Sequence, residues 1–337
     1  MMLEVVSGGP QTTVQDLGRP GYLHTGMPPS GAFDSFSLRV ANLLVGNNAG
    51  GRYLVGRDPG DAGLEVLLLG CRLQATADHV IAVTGGDLSP TLNDAPLPMW
   101  RSILVHPGDM IAFTTPRRGV RAYLAVAGGI DVPPFLGSRA TNVRAAVGGI
   151  EGRGLKPGDQ IQVGTPAKPT SAVVGRSWPE EARPAQGSPW VVRVVLGPQD
   201  ELFTPESVET FLNVDWKLSP ISDRMGCRYI GPKLEFLPRP DYLIEQAGSD
   251  PSNIVDDGTP LGGIQVPSGL EPIVMGADVP SFGGYAKIAT VISSDIGVVG
   301  QGKPGDIVRF RAVSVAEAEE IGLAKEALLT ESTVVEV

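Results

Sequence analysis

Three polar segments of the sequence carry residue types that can bind or activate a small molecule. The first, residues 11–22, brings hydroxyl, amide, carboxylate and guanidinium groups together. The second, residues 222–228, places Asp223 directly before Arg224, and the third, residues 278–287, begins with Asp278 and ends with Lys287 around two glycines. A carboxylate beside a cation can bind a polar ligand or move a proton, and glycine lets the backbone approach that ligand closely.

Each segment also has a plain structural interpretation. Polar loops that cap helices are common on protein surfaces, and an adjacent acid and base often form a surface ion pair. The three segments nevertheless share one chemistry while lying far apart in the sequence. We therefore expect at least two of them to line one cleft for a polar, anionic small molecule, between the two domains predicted below.

The composition predicts a globular chain with about two domains. It has 337 residues, of which 42% are hydrophobic and 19% charged, and a mean hydropathy of +0.07. Its 44 glycines and 30 prolines are spread between apolar runs, which excludes a disordered, collagen-like or coiled-coil chain. The net charge of −10 repels nucleic-acid phosphates and anionic membranes, so neither is expected as a partner.

Cysteine and histidine are scarce in this chain. Its two cysteines, Cys71 and Cys227, lie far apart, so no disulfide framework is expected. Three histidines without an H-E-x-x-H pattern make a His-rich metal site improbable, and we predict no metal. No secretion signal and no apolar run of membrane-spanning length is evident. We expect a soluble, cytoplasmic protein.

Short apolar runs between turn residues predict a mainly β fold with few short helices. The predicted strands are residues 64–69, 79–84, 103–105, 122–127, 191–196, 273–275, 288–293 and 307–310. The predicted helices are residues 34–45, capped by Asp34, then 205–212 and 315–329, the last opened by a Ser314–Glu317 capping box.

A Pro-Gly-Asp turn before a strand occurs three times, at residues 107–109, 157–159 and 304–306. The last two copies come just before a Pro-rich stretch and the C-terminal tail, which indicates two similar barrels in tandem. We predict an N-terminal domain over residues 1–170, a linker over 171–189 and a C-terminal domain over 190–337.

Residues 297–305 match the sequence patterns of two phosphate-binding loops, G-x-x-x-x-G-K and G-x-G-x-x-G. Both loops bind phosphate only where they open a helix. Here Lys303 is followed by Pro304-Gly305-Asp306 and a predicted strand, so we interpret the segment as a β-turn. A G-x-S-x-G hydrolase elbow does not occur.

The polar segments resemble signature motifs of one family. It is known as KipA-like, allophanate hydrolase subunit 2, biotin-dependent carboxyltransferase, or the 5-oxoprolinase subunit designated C. The motifs, in order, are residues 11–19 (Gln-Thr-Thr-Val-Gln-Asp-Leu-Gly-Arg), 30–34, 41–47, 125–133, 136–139, 197–199, 222–226 (Ser-Asp-Arg-Met-Gly), 263–267 (Gly-Ile-Gln-Val-Pro) and 283–292. The resemblance spans residues 3–313 and is specific because long motifs recur in order.

The resemblance implies two cyclophilin-like β-barrel domains and a catalytic subunit of a complex. It implies a KipI-like partner (allophanate hydrolase subunit 1, or the 5-oxoprolinase subunit designated B) and a LamB-type subunit, designated A in that enzyme. The leading expectation is ATP-dependent opening of 5-oxoproline to glutamate, with ATP and Mg held by the complex. The first alternative is carboxyl transfer from carboxybiotin to a urea-like nitrogen, with biotin carried by another chain because this one lacks the Ala-Met-Lys-Met motif. The second is a regulatory binding subunit without chemistry.

The resemblance also implies roles for individual residues. Asp278, Asp223 and Lys287 are the candidate catalytic residues, and Arg19, Arg39 and Arg224 are expected to neutralise a carboxylate or phosphate. The candidate substrate-binding residues are Gln15, Asp16, Arg19, Ser30, Asp34, Arg39, Asn42, Arg224, Gln265, Gly283, Gly284 and Tyr285.

Two segments depart from the pattern of free-standing members of the family. Residues 278–284 read Asp-Val-Pro-Ser-Phe-Gly-Gly, which looks more like the carboxyltransferase part of urea carboxylase. Residues 256–261 are unusually acidic. Both departures concern the identity of the substrate and leave the predicted fold unchanged.

Overall fold

A computed structural model describes residues 2–51, 58–184, 187–239 and 241–336. The chain forms two compact units. Unit 1 comprises Met1–Pro20, Ser30–Ala185 and Glu326–Val337, and unit 2 comprises Gly21–Pro29 and Gln186–Lys325. Both are built mainly from β-strands, as predicted.

The strands of unit 1 are β1 (Met2–Gly8), β2 (Gln11–Gln15), β3 (Gly63–Leu67), β4 (Cys71–Ala75), β5 (His79–Asp87), β6 (Pro90–Leu92), β7 (Ala95–Pro96), β8 (Ser102–Val105), β9 (Met110–Phe113), β10 (Arg118–Val126), β11 (Gln160–Gln162), β12 (Arg176–Ser177) and β22 (Val335–Glu336). Those of unit 2 are β13 (Trp190–Leu196), β14 (Trp216–Leu218), β15 (Gly226–Ile230), β16 (Asn253–Gly258), β17 (Gly263–Gln265), β18 (Ile273–Met275), β19 (Phe282–Tyr285), β20 (Lys287–Val291) and β21 (Ile307–Ala312). The helices are α1 (Ser35–Leu44), α2 (Pro205–Asn213), α3 (Asp241–Ala247), α4 (Ile296–Gln301) and α5 (Val315–Leu328).

Unit 1 contains two main sheets with a shared apolar core. One has the order β11-β1-β4-β9-β6-β7 and the other the order β2-β3-β10-β5-β8. Alternate residues of their strands, such as Leu3, Leu64 and Leu124, are completely buried in that core. Helix α1 packs its apolar residues against β5 and β10, and Phe36 lies edge-on to Trp178 at 6.1 Å.

Unit 2 contains a closed barrel of seven strands in the order β13-β20-β17-β18-β15-β14-β21. Closure leaves no free edge in this sheet. An aromatic cluster packs α2 onto the barrel: the rings of Phe211 and Phe310 stack at 4.6 Å, and Tyr229 meets Phe310 edge-on at 5.5 Å. Strands β16 and β19 form a separate two-stranded ribbon that continues into β17 and β20.

The local sequence signals are confirmed. Each predicted strand overlaps an observed one, and the three predicted helices are α1, α2 and α5. Asp34 caps α1 by accepting a hydrogen bond from the backbone of Ser37 at 3.2 Å. The capping box of α5 forms in both directions, from Ser314 N to Glu317 Oε2 at 2.7 Å and from Glu317 N to Ser314 Oγ at 3.2 Å.

The division into units differs from the predicted boundaries at 170 and 190. Residues 21–29, early in the chain, belong to unit 2, and residues 326–337, at its end, belong to unit 1. The predicted linker packs onto unit 1 up to Arg183, because Val173 and Trp178 are fully buried there and β12 pairs with β22. Its Pro-rich composition is therefore that of an ordered loop.

The three Pro-Gly-Asp turns share one geometry. Gly108, Gly158 and Gly305 have φ between +88° and +93°, which favours glycine. In each turn the aspartate carboxylate accepts a hydrogen bond from the backbone three residues earlier, at 2.8 Å, 2.9 Å and 3.1 Å. The third turn follows the C-terminal end of α4, so residues 300–305 do not open a helix and the phosphate-loop interpretation stays rejected.

Asp159, in the second turn, is expected to stabilise the folded chain through an ion pair. Its carboxylate binds the guanidinium of Arg153 through two hydrogen bonds of 2.7 Å and 2.9 Å, and these hold the pKa of Asp159 below its ordinary value of 3.8. We expect Asp159→Ala to lower the free energy of unfolding by about 1 to 2 kcal/mol at pH 7.

The difference should be fully present above about pH 4, where the unfolded carboxyl is ionised, and vanish as the pH falls through the lowered pKa. Urea unfolding between pH 2.5 and pH 7 measures it. Glu320→Ala is the control, since Glu320 is an exposed carboxylate without a partner in the described ranges. A pH-independent loss for Asp159→Ala would contradict the assignment.

Candidate functional site

The polar segment after β2 is built into the scaffold of unit 1. The buried carboxylate of Asp16 accepts hydrogen bonds from Gly18 N, Ser138 Oγ and Arg139 N at 2.6 to 2.7 Å. Burial raises the pKa of Asp16 even though these bonds and the charge of Arg19 act in the opposite direction. Arg19 in turn donates to the carbonyls of Phe135 and Ala140.

The other candidates of unit 1 are also bound to the protein itself. The Gln15 amide donates to Thr13 Oγ1 and to the Thr141 carbonyl, and Ser30 Oγ accepts from Asn142 Nδ2. Asp34 caps α1, Asn42 donates to the Asp61 carbonyl at 2.8 Å, and Arg39 forms a two-pronged ion pair with Glu326 at 2.6 and 2.7 Å.

These contacts tie β2 and residues 16–30 to the loop of residues 133–149, and α1 to Asp61 and Glu326. The amide nitrogen of Gln15 is thus paired within the protein, whereas its amide oxygen, Oε1, has no partner among the described residues. The dense polar motif of unit 1 therefore positions backbone segments. Its assignment to substrate binding stays a prediction.

The second segment meets the beginning of the third in unit 2. Arg224 and Asp278 form a buried ion pair, with Nε to Oδ2 at 2.9 Å and Nη2 to Oδ1 at 3.3 Å. Their side chains are only 7% and 8% exposed. Asp223, in contrast, is exposed and accepts hydrogen bonds from the backbone of Met225 and Gly226, which closes a turn.

A cavity of about 500 Å³ lies within unit 2, on the other part of the third segment. Its lining residues are Leu23, His24, Pro198, Asp257, Gly258, Thr259, Pro260, Ser281, Phe282 and Lys287. Lys287 is the predicted site residue among them. The aromatic and proline side chains give the cavity apolar walls, and a few polar groups converge in it, as is typical of small-molecule sites.

Four buried polar atoms in this part of unit 2 have no well-directed hydrogen bond to the described residues. Three of them, Lys287 Nζ, Thr259 Oγ1 and Ser281 Oγ, belong to residues that line the cavity, and the fourth, Gln265 Nε2, lies beside Thr259 just outside the lining. Gln265 and Lys287 are opposite each other in the β17–β20 ladder, which places their side chains on one face of the barrel wall. Buried polar groups are nearly always paired, so a cluster of unpaired ones indicates a place for a ligand.

Gly283 lets these groups approach one another. A Cβ atom at this position would lie 2.3 Å from Gln265 Nε2 and 3.1 Å from Thr259 Oγ1. Any side chain here would therefore push the Gln265 amide away. Gly284 similarly leaves room for Asp256, whose Oδ1 would lie 2.9 Å from a Cβ, while Tyr285 is exposed at the end of β19.

Asp257 is the charged group that faces Lys287. Its Oδ2 lies 3.2 Å from Lys287 Nζ. Partial burial raises the pKa of Asp257, but the nearby Lys287 ammonium, together with hydrogen bonds from the Gly258 backbone and Gln199, outweighs that effect and leaves the pKa below its ordinary value. Gln199 links the two residues, because its Nε2 lies 3.3 Å from Asp257 Oδ2 and its Oε1 accepts from Lys287 N at 3.1 Å.

Sequence reasoning missed four of the residues that form this site: His24, Asp257, Thr259 and Ser281. The acidic run at residues 256–261 was a signal, since it departs from the family pattern where Asp257 lies. The hydroxyls gave none, because Thr259 and Ser281 look like ordinary turn residues. The two parts of the third segment do different things: Asp278 pairs with Arg224, whereas Ser281, Phe282 and Lys287 line the cavity.

The described residues offer neither a metal-ligand cluster nor a membrane-spanning helix. Residues 2–51, 58–184, 187–239 and 241–336 contain no group of three or more His, Cys, Asp or Glu side chains arranged for a metal ion. Over the same ranges, every helix is too short or too polar to span a bilayer.

Comparison with known proteins places the chain in a family. Urea amidolyase of Lachancea kluyveri is 37% identical over 97% of this chain, and the 5-oxoprolinase subunit designated C of Escherichia coli K12 is 34% identical over 94%. The solved structure of Kluyveromyces lactis urea carboxylase covers all of this chain with a TM-score of 0.88 and 36% identity.

The lengths of these relatives differ widely. This chain covers 93% of the E. coli protein but only 18% of the L. kluyveri urea amidolyase and 30% of the K. lactis chain. Residues 25–312 match the family model described as carboxyltransferase domain, subdomain A and B. As its motifs predict, this chain belongs to the carboxyltransferase domain family, subdomains A and B.

Proposed function

We propose that this chain binds an amide- or ureido-type substrate in the unit 2 cavity and takes part in carboxyl transfer to or from its nitrogen, within a larger enzyme. One observation carries the proposal: the Lys287 ammonium, whose partner among the described residues is the half-exposed carboxylate of Asp257 at 3.2 Å, lies near an amide N–H and two hydroxyls that have no acceptor there. A ligand that fits must supply oxygen acceptors, and carboxylate and carbonyl oxygens are the strongest ones available.

The chemistry of each polar side chain indicates which part of the ligand it would bind. The Lys287 ammonium would hold a carboxylate, and Gln265 Nε2 with the hydroxyls of Thr259 and Ser281 would hold a carbonyl oxygen. When a new bond forms between the substrate nitrogen and the carboxyl carbon, the bond from that carbon to the nitrogen of the carboxyl donor would break; the substrate nitrogen would lose a proton and the donor nitrogen would gain one. His24 is the histidine of the cavity lining, and its imidazole can accept the proton from the substrate nitrogen.

Biotin, borne by another chain, would supply the carboxyl group. The donor set fits this cofactor, because a carboxylated ureido group presents a carboxylate and a carbonyl to Lys287 and Gln265. ATP with Mg fits this chain less well. The segment that matches the phosphate-loop patterns, residues 297–305, runs through the end of α4 and does not open a helix, and the described residues offer no metal-ligand cluster. We propose that ATP and Mg are held by other parts of the complex.

The opening of 5-oxoproline is the second candidate. This chain matches the E. coli protein named as a 5-oxoprolinase subunit over 93% of that protein's length. Its substrate would present a lactam carbonyl and a carboxylate, which the same donors suit. The partners would then be a KipI-like protein and a LamB-type protein.

Two observations favour carboxyl transfer over the opening of 5-oxoproline. The K. lactis urea carboxylase superimposes over the whole chain with a TM-score of 0.88. The segment with the urea-carboxylase pattern, residues 278–284, also supplies Ser281 and Phe282 to the cavity lining.

Reconstitution distinguishes the candidates directly. This chain would be purified with a KipI-like protein and either a LamB-type protein or a biotin carboxylase with its carrier, all from the same source. Bicarbonate-derived carbon in a urea-like acceptor supports carboxyl transfer, and glutamate formed from 5-oxoproline supports ring opening. Binding of the partners without either product would leave the regulatory role and contradict the proposal.

Lys287→Met tests the central binding group. The substitution keeps the length of the side chain and removes a buried charge, so the fold should survive. We expect kcat/KM of the reconstituted enzyme to fall roughly 30- to 150-fold, the equivalent of about 2 to 3 kcal/mol for one charge-assisted contact.

The matched control is Lys217→Met, an exposed lysine on β14 of the same barrel, which should leave kcat/KM unchanged. Thermal unfolding of both variants shows whether the barrel is intact. Unchanged turnover in a folded Lys287→Met enzyme would refute the site.

Arg224 and Asp278 are proposed to position the cavity wall without contacting the substrate. Arg224→Met leaves a buried carboxylate unpaired and should lower the free energy of unfolding by about 3 to 5 kcal/mol. The double variant Arg224→Met/Asp278→Leu removes both charges and should recover most of that loss. Urea unfolding of the two variants measures the difference, and equal stabilities would show that the ion pair does not hold this wall.

A further inference from the structure

The ion pair between Asp257 and Lys287 joins two very different environments. The Lys287 side chain is 0% exposed, whereas that of Asp257 is 49% exposed, and the two charged atoms lie 3.2 Å apart. The ammonium is thus fixed inside the barrel wall, and the carboxylate reaches it from the solvent side of the cavity. Only the carboxylate can leave the pair without stranding a charge away from water.

The ion pair also leaves the hydrogen-bonding capacity of the ammonium unmet. Lys287 Nζ has no well-directed hydrogen bond to any residue in the described ranges, although an ammonium offers three donors. Asp257 divides its oxygens among other donors, with Oδ1 accepting from Gly258 N at 2.7 Å and Oδ2 lying 3.3 Å from Gln199 Nε2. Strong ammonium–carboxylate contacts are shorter and better directed than this one.

The backbone around Asp257 permits movement. Strand β16 pairs with β19 only at Asn253, Asp257 and Gly258, and the register shifts between the first two. The ladder is therefore interrupted just before Asp257. A carboxylate on such a segment can swing towards solvent at a lower cost than one on a regular strand.

We infer that Asp257 is a displaceable counter-ion, which occupies the place on Lys287 that a carboxylate of the ligand takes on binding. The inference rests on the proposed function and adds the class of ligand: an amide or ureido compound that carries a carboxylate. Lys287 would bind the carboxylate while Gln265 Nε2 binds the carbonyl. In the empty site Asp257 compensates the buried charge, and in the loaded site it turns to solvent.

The experiment compares anionic and neutral probes of matched shape. 5-Oxoproline and its uncharged amide, 5-oxoprolinamide, represent a lactam acid. Malonamate and malonamide represent an N-carboxylated urea, with a methylene group in place of the labile nitrogen. Calorimetric titration of the full chain gives a dissociation constant for each probe.

Asp257→Asn should tighten the binding of the preferred anionic probe by about tenfold, equivalent to about 1.4 kcal/mol, because the ligand no longer competes with a protein carboxylate. Binding of the neutral probe should change little. The control is Asp256→Asn, which removes the same charge one residue earlier, from an exposed side chain without an ion pair in the described ranges. It should leave the ratio of anionic to neutral affinity as it is in the unaltered chain.

The double variant Asp257→Asn/Lys287→Met covers the case in which Asp257→Asn alone fails to fold. It removes both charges, so it should fold and lose the preference for the anionic probe. If the probes bind but Asp257→Asn leaves their affinity ratio unchanged, or weakens the binding of the anionic probes, the counter-ion role is wrong while the proposed site stands. If no probe binds the unaltered chain, the proposed site itself is wrong.

Discussion

The ammonium group of Lys287, enclosed in the wall of the unit 2 barrel, is the constraint on which the site depends. A buried cation must be paired, and its neighbours in the described part of the chain supply only the half-exposed carboxylate of Asp257. The β17–β20 register holds Gln265 beside it, and Gly283 keeps the amide of Gln265 in place. A buried ammonium with an incomplete set of partners is costly for a barrel that only needs to fold, whereas in the proposed site it would hold an oxygen acceptor.

The two units show that a dense polar motif is not by itself a binding site. In unit 1, Asp16 and Arg19 have the residue types expected of a site, but they hold the loop that carries Ser138 and Ala140. Unit 1 also has buried atoms without a well-directed hydrogen bond to the described residues, such as Gln15 Oε1, but in unit 2 three such atoms, on Thr259, Ser281 and Lys287, belong to residues that line one cavity. Unmet hydrogen-bonding capacity that gathers at a cavity is therefore a better indication of a site here than the concentration of polar residues.

Local features were predictable from the sequence because their causes are local. Asp34 caps α1, the Ser314–Glu317 box opens α5, and the Pro-Gly-Asp turns form as their residue types require. The division into units was not predictable by the same reasoning, since residues 21–29 and 326–337 join units that are distant in the chain. Lys287 was identified from the sequence as the cation that ends the glycine-containing third segment, whereas Thr259 and Ser281 became apparent only from their burial and missing partners.

A crystal structure of the chain with bound malonamate or 5-oxoproline would show which groups hold the ligand. We expect ligand oxygens about 3 Å from both Lys287 Nζ and Gln265 Nε2, with the Asp257 carboxylate turned away from Lys287. A ligand held instead by Asp16 and Arg19 in unit 1, with the Asp257–Lys287 pair intact, would contradict this expectation.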